Sequence, residues 1–124
     1  TSASGDTVTT AAYVDSGLSV TITPAASDSK IMLLQVGADT TMAAGRGLFT
    51  KIYKNVAGGG DVAIDATQVE YRGADITPLS QVWMDEPATT SELEYSLYCI
   101  ATGDTVYYFR EARTYHFIAM EILA

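Results

Sequence analysis

The strongest constraint on this chain lies in its last third, residues 79–124. There Leu93, Tyr95, Leu97 and Cys99 take every second position, with Glu92, Glu94, Ser96 and Tyr98 around and between them. A repeat of two is the repeat of an extended strand with one buried and one wet face. Residues 106–109 and 115–123 behave differently. They are apolar or aromatic on both parities, so both faces of those strands need cover. The segment runs LSQVWMDEPATT, SELEYSLYCIATG and DTVYYFREARTYHFIAMEILA, and predicts four strands joined by tight turns. A small domain has one core. A sheet with two apolar faces must find a second surface, and in a short chain the expected one is another copy of itself.

The rest of the chain follows the same grammar. Leu18, Val20 and Ile22 alternate with Ser19, Thr21 and Thr23, and Pro24 ends that strand. Residues 30–36, KIMLLQV, are apolar on both parities and predict a central strand. Residues 37–47 carry small side chains and predict a loop. Residues 48–55, LFTKIYKN, predict another strand, with Lys51 and Lys54 toward water. AGGGD at 57–61 predicts a turn. Residues 62–71 fit either a short strand or a turn of helix, and 72–78 predict a further loop. Helical periodicity is absent. Short strands punctuated by Gly, Pro, Asp and Ser predict an all-β fold, a single-domain antiparallel sandwich or jelly roll. Residues 1–12, TSASGDTVTTAA, cannot build a core and predict an extended arm ahead of a domain spanning 13–124. Thr1 suits either a chain that has lost its initiator Met or the start of a fragment of a longer one. No secretory signal pattern opens the sequence.

Charge and cysteine usage exclude several classes. The 124 residues carry a net charge of −8, and the seven Lys and Arg are scattered. Phosphate recognition needs clustered cations, so nucleic acid and anionic membrane are not expected partners. One cysteine, Cys99, cannot form an intrachain disulfide, and its parity predicts a buried thiol. One Cys and one His cannot build a structural zinc site. Asp61 and Asp65 lack the further ligands of a calcium loop. Asp85, with Asp15, Asp28, Asp39, Asp75 and Asp104, reads as a solvated turn residue. Glu92 and Glu94 could flank a sugar, but no supporting catalytic pair accompanies them. His116 lies mid-strand with no nucleophile elbow anywhere in the chain. These residues predict no enzyme, no metal and no cofactor. The eight tyrosines fit sheet packing, a glycan-binding patch or an oligomer seam equally well.

Three stretches carry a resemblance. YVDSGLSVTITPAASDSKIML, LSQVWMDEPATTSELEYSLYC and HFIAMEILA occur in that order. They resemble a module of tailed-phage virion proteins with a VDTGLSVTITP strand followed by SSKIL, an LDSPATTS hairpin and a terminal MEI. The matching residues are Val14, Asp15, Gly17, Leu18, Ser19, Val20, Ile22, Thr23, Pro24, Ser29, Lys30 and Ile31. They continue with Asp85, Pro87, Ala88, Thr89, Thr90, Ser91 and Tyr95, and end with Met120, Glu121 and Ile122. Residues 56–78 find no counterpart. The resemblance implies a trimeric jelly roll like the tumour-necrosis-factor head, at the virion surface and without catalytic residues. The expected function is therefore a homotrimeric capsid decoration protein that contacts other virion proteins. The alternative is the tip of a tail fibre that recognises a host glycan or protein. In the trimer, Tyr108, Tyr115 and Phe117 are expected at the interface. Arg110 and Glu121 serve as markers of the wet parity on their strands. Thr7, Val8, Thr9 and Thr10 are expected to attach the arm to the particle as an added strand.

Overall fold

The computed structural model describes residues 6–8, 12–102, 106–108 and 116–124, and in 6–8, 37–46, 72–79, 102 and 106–108 only the backbone. It is an all-β sandwich of two packed antiparallel sheets. The strands are β1 (Asp6–Val8), β2 (Val14–Ile22), β3 (Lys30–Val56), β4 (Asp61–Ala63), β5 (Val69–Asp85), β6 (Leu93–Thr102), β7 (Val106–Tyr108) and β8 (His116–Ile122). A 3-10 turn, Asp65–Thr67, joins β4 to β5.

One ribbon makes both sheets. β3 runs for 27 residues and pairs along most of its length with the 17-residue β5. The first part of β3 also pairs with β8, from Lys30↔Ile122 to Val36↔His116. Its last part pairs instead with β6, from Gly47↔Thr102 to Val56↔Leu93. β2 extends that second sheet on the far side of β6. Between the two parts the β3–β5 ladder slips twice, at Gln35/Ala38 and at Met42/Arg46. Bulges increase local twist and let a strand turn a corner from one sheet into another.

The loops expected at 37–47 and 72–78 are therefore strand. Small side chains suggested a break at 37–47, but the irregular ladder absorbs them. Pro78 stands opposite Asp39 on β5, which among the described residues pairs only with β3, so its missing N–H removes no described ladder bond on the other side. The uncertain segment 62–71 contains both a strand and a helical turn. Gly17 lies inside β2 at a bulge with φ of 78°. Its N–H donates to Asp15 Oδ1 at 2.8 Å. The bulge leaves Ser16 and Leu18 both buried.

The core lies between the sheets. Ile31, Leu33 and Phe117 come from the first sheet, and Leu18, Leu48, Ile52, Leu93, Tyr95, Leu97, Cys99 and Ala101 from the second. Each fully buried large side chain contributes roughly 1.5–3 kcal/mol. Where the β3 ladder passes from β4 to β5, the 3-10 turn fills the gap. Thr67 Oγ1 accepts the Ile52 N–H at 2.8 Å, and the Ile64 N–H donates to the Ile52 carbonyl at 2.9 Å. No backbone group of buried Ile52 is left without a partner.

Polar bonds also cross the sandwich. Asp85 of β5 accepts the Tyr95 hydroxyl at 2.7 Å and the Lys54 ammonium at 2.9 Å. Thr50 donates to Gln81 Oε1 at 2.9 Å. Two expectations are corrected here. Asp85 is nine-tenths buried, because Tyr95 and Lys54 satisfy the charge that would otherwise need water. Lys54 shares the inward parity of Ile52, and it reaches that carboxylate at the end of the core. Burial, and then the bond to Asp85, raise the Tyr95 pKa far above that of a free phenol.

Replacing Tyr95 by Phe keeps the packing and removes one donor to a buried carboxylate. A loss of roughly 1–3 kcal/mol in unfolding free energy is expected. Urea titration should show it as a lower midpoint with an unchanged slope.

Candidate functional site

Each sheet has an outer face, and the two faces differ in chemistry. On the first sheet, β3 lies between β5 and β8. Val82, Leu34 and Ile118 stand in one cross-strand row, and Met84, Met32 and Met120 in the next. Ile122 lies beside Lys30 at the margin. Val82 is 62% exposed, and Met84, Ile118, Met120 and Ile122 are each about two-fifths exposed. Leu123, just beyond β8, is 67% exposed.

This face corrects the parity expected for the last strand. Phe117 is buried in the core, and the outward residues of β8 are His116, Ile118, Met120 and Ile122. Glu121 misled because it shares the inward parity at the strand's end. Its carboxylate accepts the Ala25 N–H at 2.7 Å, so its charge is satisfied within the chain. Tyr108 pairs through its backbone with Asp6 and Thr40. Tyr115 lies outside the described residues, as do Thr9 and Thr10. Thr7 and Val8 belong to β1, which pairs with β7 of the same chain at Thr7↔Tyr107 and Val8↔Val106. That part of the arm is a strand at the end of its own sheet, not an extension without a partner.

The outer face of the second sheet is polar and aromatic. Tyr53 of β3 and Tyr98 of β6 stack with ring centroids 3.8 Å apart and planes 22° from parallel. Tyr13 packs against Tyr53 at 6.5 Å, tilted by 53°. The Lys51 ammonium sits 4.7 Å from the centre of the Tyr13 ring and 3.0 Å from Asp65 Oδ1. The Asp65 bond raises the Lys51 pKa. Tyr13 donates to Gln68 Oε1 at 3.1 Å, and burial raises its pKa. The Tyr98 hydroxyl donates to Asp61 Oδ2 at 2.5 Å. That bond, with burial, lifts its pKa well above the usual phenol range. Asp61 Oδ1 accepts from Asn55 Nδ2 at 3.1 Å.

Beside this ledge lies a hollow of about 110 Å³ lined by Thr21, Asn55, Gly58, Glu92 and Glu94. Cross-strand pairing puts Thr21, Glu94, Asn55 and Asp61 in one row, next to the Ser96–Tyr53 row. Glu92 and Glu94, noted from sequence, thus meet at a defined concavity. The tyrosine ledge was missed as a unit, although a signal exists: Tyr98 falls on the wet parity of its strand, and Tyr53 alternates with Ile52 and Lys54. Among the described residues, no group of three His, Cys, Asp or Glu is placed to hold a metal ion.

The fold is an all-β sandwich with one apolar and one polar-aromatic outer face. No protein family, curated protein or solved structure matches this chain.

Cys99 is fully buried, and burial, assisted by the Asp15 charge, pushes its thiol pKa far up. A thiolate is the reactive form. A water-soluble disulfide reagent should therefore leave the native protein unlabelled at pH 8 and label one thiol in denaturant. Rapid native labelling, followed by absorbance, would contradict the burial.

Proposed function

We propose that this chain is a non-enzymatic structural protein of a phage virion, a homotrimeric capsid decoration protein on the particle exterior. The virion setting rests on the resemblance of the three motif stretches. The observation that carries the assembly is the apolar outer face made by Met32, Leu34, Val82, Met84, Ile118, Met120 and Ile122. A chain of net charge −8 gains nothing from leaving such a face in water. Three copies of it can close around a three-fold axis, which ends assembly at a defined size. The sandwich would then be a jelly roll of the tumour-necrosis-factor type, as the resemblance implies. The capsid is the expected partner of the N-terminal segment.

A second reading, a tail-fibre tip that binds a host receptor, is favoured by the tyrosine ledge and the hollow beside it. Head or tail location separates the two, and labelled antibody on intact virions reads it directly.

Met120→Asp places a charge in the middle of the apolar face without touching the core. Light scattering should show the trimer replaced by monomer. The unfolding free energy of the monomer should match that of a surface variant, within about 0.5 kcal/mol. A mass unchanged by Met120→Asp and Met84→Asp together would rule this face out as the interface.

Removal of residues 1–12 tests attachment. The truncated protein should keep its oligomeric mass and lose occupancy on particles. Equal occupancy of truncated and full-length protein would move attachment to the loops between strands.

A further inference from the structure

We infer that His116 makes assembly through the apolar face sensitive to acid: its neutral imidazole fits the contact between copies, and its protonated form opens that contact. The inference rests on the assembly reading and adds a mode of control to it.

His116 is the one histidine of the chain, and it opens β8 on the outward parity that Ile118, Met120 and Ile122 continue. Its cross-strand partner is Val36, and the next outward row is Ile118 with Leu34 and Val82. The residue is exposed in the single chain, so water solvates either protonation state there. Outward residues of one strand stand roughly 7 Å apart, which puts His116 about 10 Å from the midpoint between the Ile118 and Met120 rows. A stable contact covers roughly 800 Å² on each partner, a disc about 16 Å in radius. A contact centred on those two rows therefore covers His116 as well.

The surroundings of the imidazole decide the sign. On β8 the carboxylate is Glu121, which lies on the inward parity and accepts the Ala25 N–H. On β3, Lys30 stands at the far end of the face in its pair with Glu86, and Lys51 and Lys54 belong to the half of the strand in the second sheet. On β5, Asp85 is taken by Tyr95 and Lys54, and Glu70 lies opposite Phe49 on the second-sheet half. On β2, which packs against β8, Asp15 stands across from Tyr98 and accepts the Gly17 N–H. Among the described side chains, no carboxylate shares the face with His116 to pair with an imidazolium. Burying an unpaired cation is strongly unfavourable, whereas a neutral imidazole carries no such penalty.

Long-range charge pulls the other way. Each proton taken up reduces the net charge of −8 and eases the repulsion between copies. At physiological salt that repulsion is screened over about 8 Å, while a charge buried in a contact is screened much less. The local effect therefore wins. Between pH 8 and pH 5.5 ordinary carboxylates keep their charge, and Lys, Arg and Tyr keep their protons, so histidine is the side chain that changes. An exposed imidazole of ordinary pKa, about 6.5, is roughly nine-tenths protonated at pH 5.5. With only the neutral form accepted, three histidines per trimer lower the association constant about a thousandfold over that span.

Sedimentation of the full-length protein over a concentration series, at pH 8 and pH 5.5 and fixed salt, tests this. A trimer at pH 8 and a roughly thousandfold weaker association at pH 5.5 are expected, reversed on return to pH 8. His116→Gln stays neutral and should assemble equally at both. Circular dichroism at each pH keeps dissociation apart from unfolding. A trimer at pH 8 that holds equally or tightens at pH 5.5 overturns the switch and leaves the assembly reading standing. Acid dissociation of the same size in His116→Gln overturns the role of His116. A monomer at pH 8 overturns the assembly reading, and the switch with it.

Discussion

Everything in this structure depends on one strand belonging to two sheets. β3 is the centre of both, flanked by β5 and β8 at its start and by β6 at its end. Neither sheet can shift against the other without breaking the ladder at the two slips. A covalent corner alone does not fix the spacing of a sandwich, because a twisted ribbon can still open. Asp85 closes it. One carboxylate on the first sheet takes donors from Tyr95 and Lys54 on the second. A buried charge with partners in place favours one register over its neighbours, since a slip leaves the charge without donors. Thr50 and Gln81 repeat the device with neutral groups. The apolar core can pack in several ways, and these polar bonds select among them.

With the ribbon fixed, the two outer faces are free to differ. Side chains on a strand alternate, so a residue that leaves the core lands on an outer face by necessity. On β3 the outward positions near the start are Met32 and Leu34, and near the end they are Lys51, Tyr53 and Asn55. The corner of the ribbon therefore divides one strand into an apolar half and an aromatic-polar half. The first suits permanent burial. The second keeps its tyrosines and Lys51 hydrogen-bonded or stacked among their neighbours and leaves the Glu92 and Glu94 carboxylates exposed.

Much of this was legible in the sequence. The alternation from Leu93 to Cys99 predicts β6 and its buried parity, and Leu18, Val20 and Ile22 do the same for β2. The unusual two-sided character of 30–36 and of the last strand signalled a sheet needing cover on both sides. The misses have particular causes. The small residues of 37–47 and the segment 72–78 looked like loops because local preference cannot see a partner strand that tolerates bulges. Glu121 looked like a surface marker because a charge satisfied by a distant backbone N–H, at Ala25, carries no local sign. Asp85 looked like a turn residue because its donors, Lys54 and Tyr95, stand 31 and 10 residues away. The tyrosine ledge gathers residues from 13, 53 and 98, and only the strand pairing brings them together.

The distribution of charge bears on how such an acidic chain can self-associate. Copies of a molecule with a net charge of −8 repel one another at long range. The repulsion is decided by where the charges lie, since salt screens those far from the contact. The formal charges at the described outer face of the first sheet are one ion pair at its margin, Lys30 with Glu86 at 2.7 Å. Asp61, Asp65, Glu92 and Glu94 all belong to the other sheet or its loops. Packing the apolar faces together would leave these carboxylates away from the contact. The same arrangement turns the ledge and hollow outward in every copy. Burial of one face and presentation of the other would then follow from a single placement of charge, with no conflict between assembly and binding.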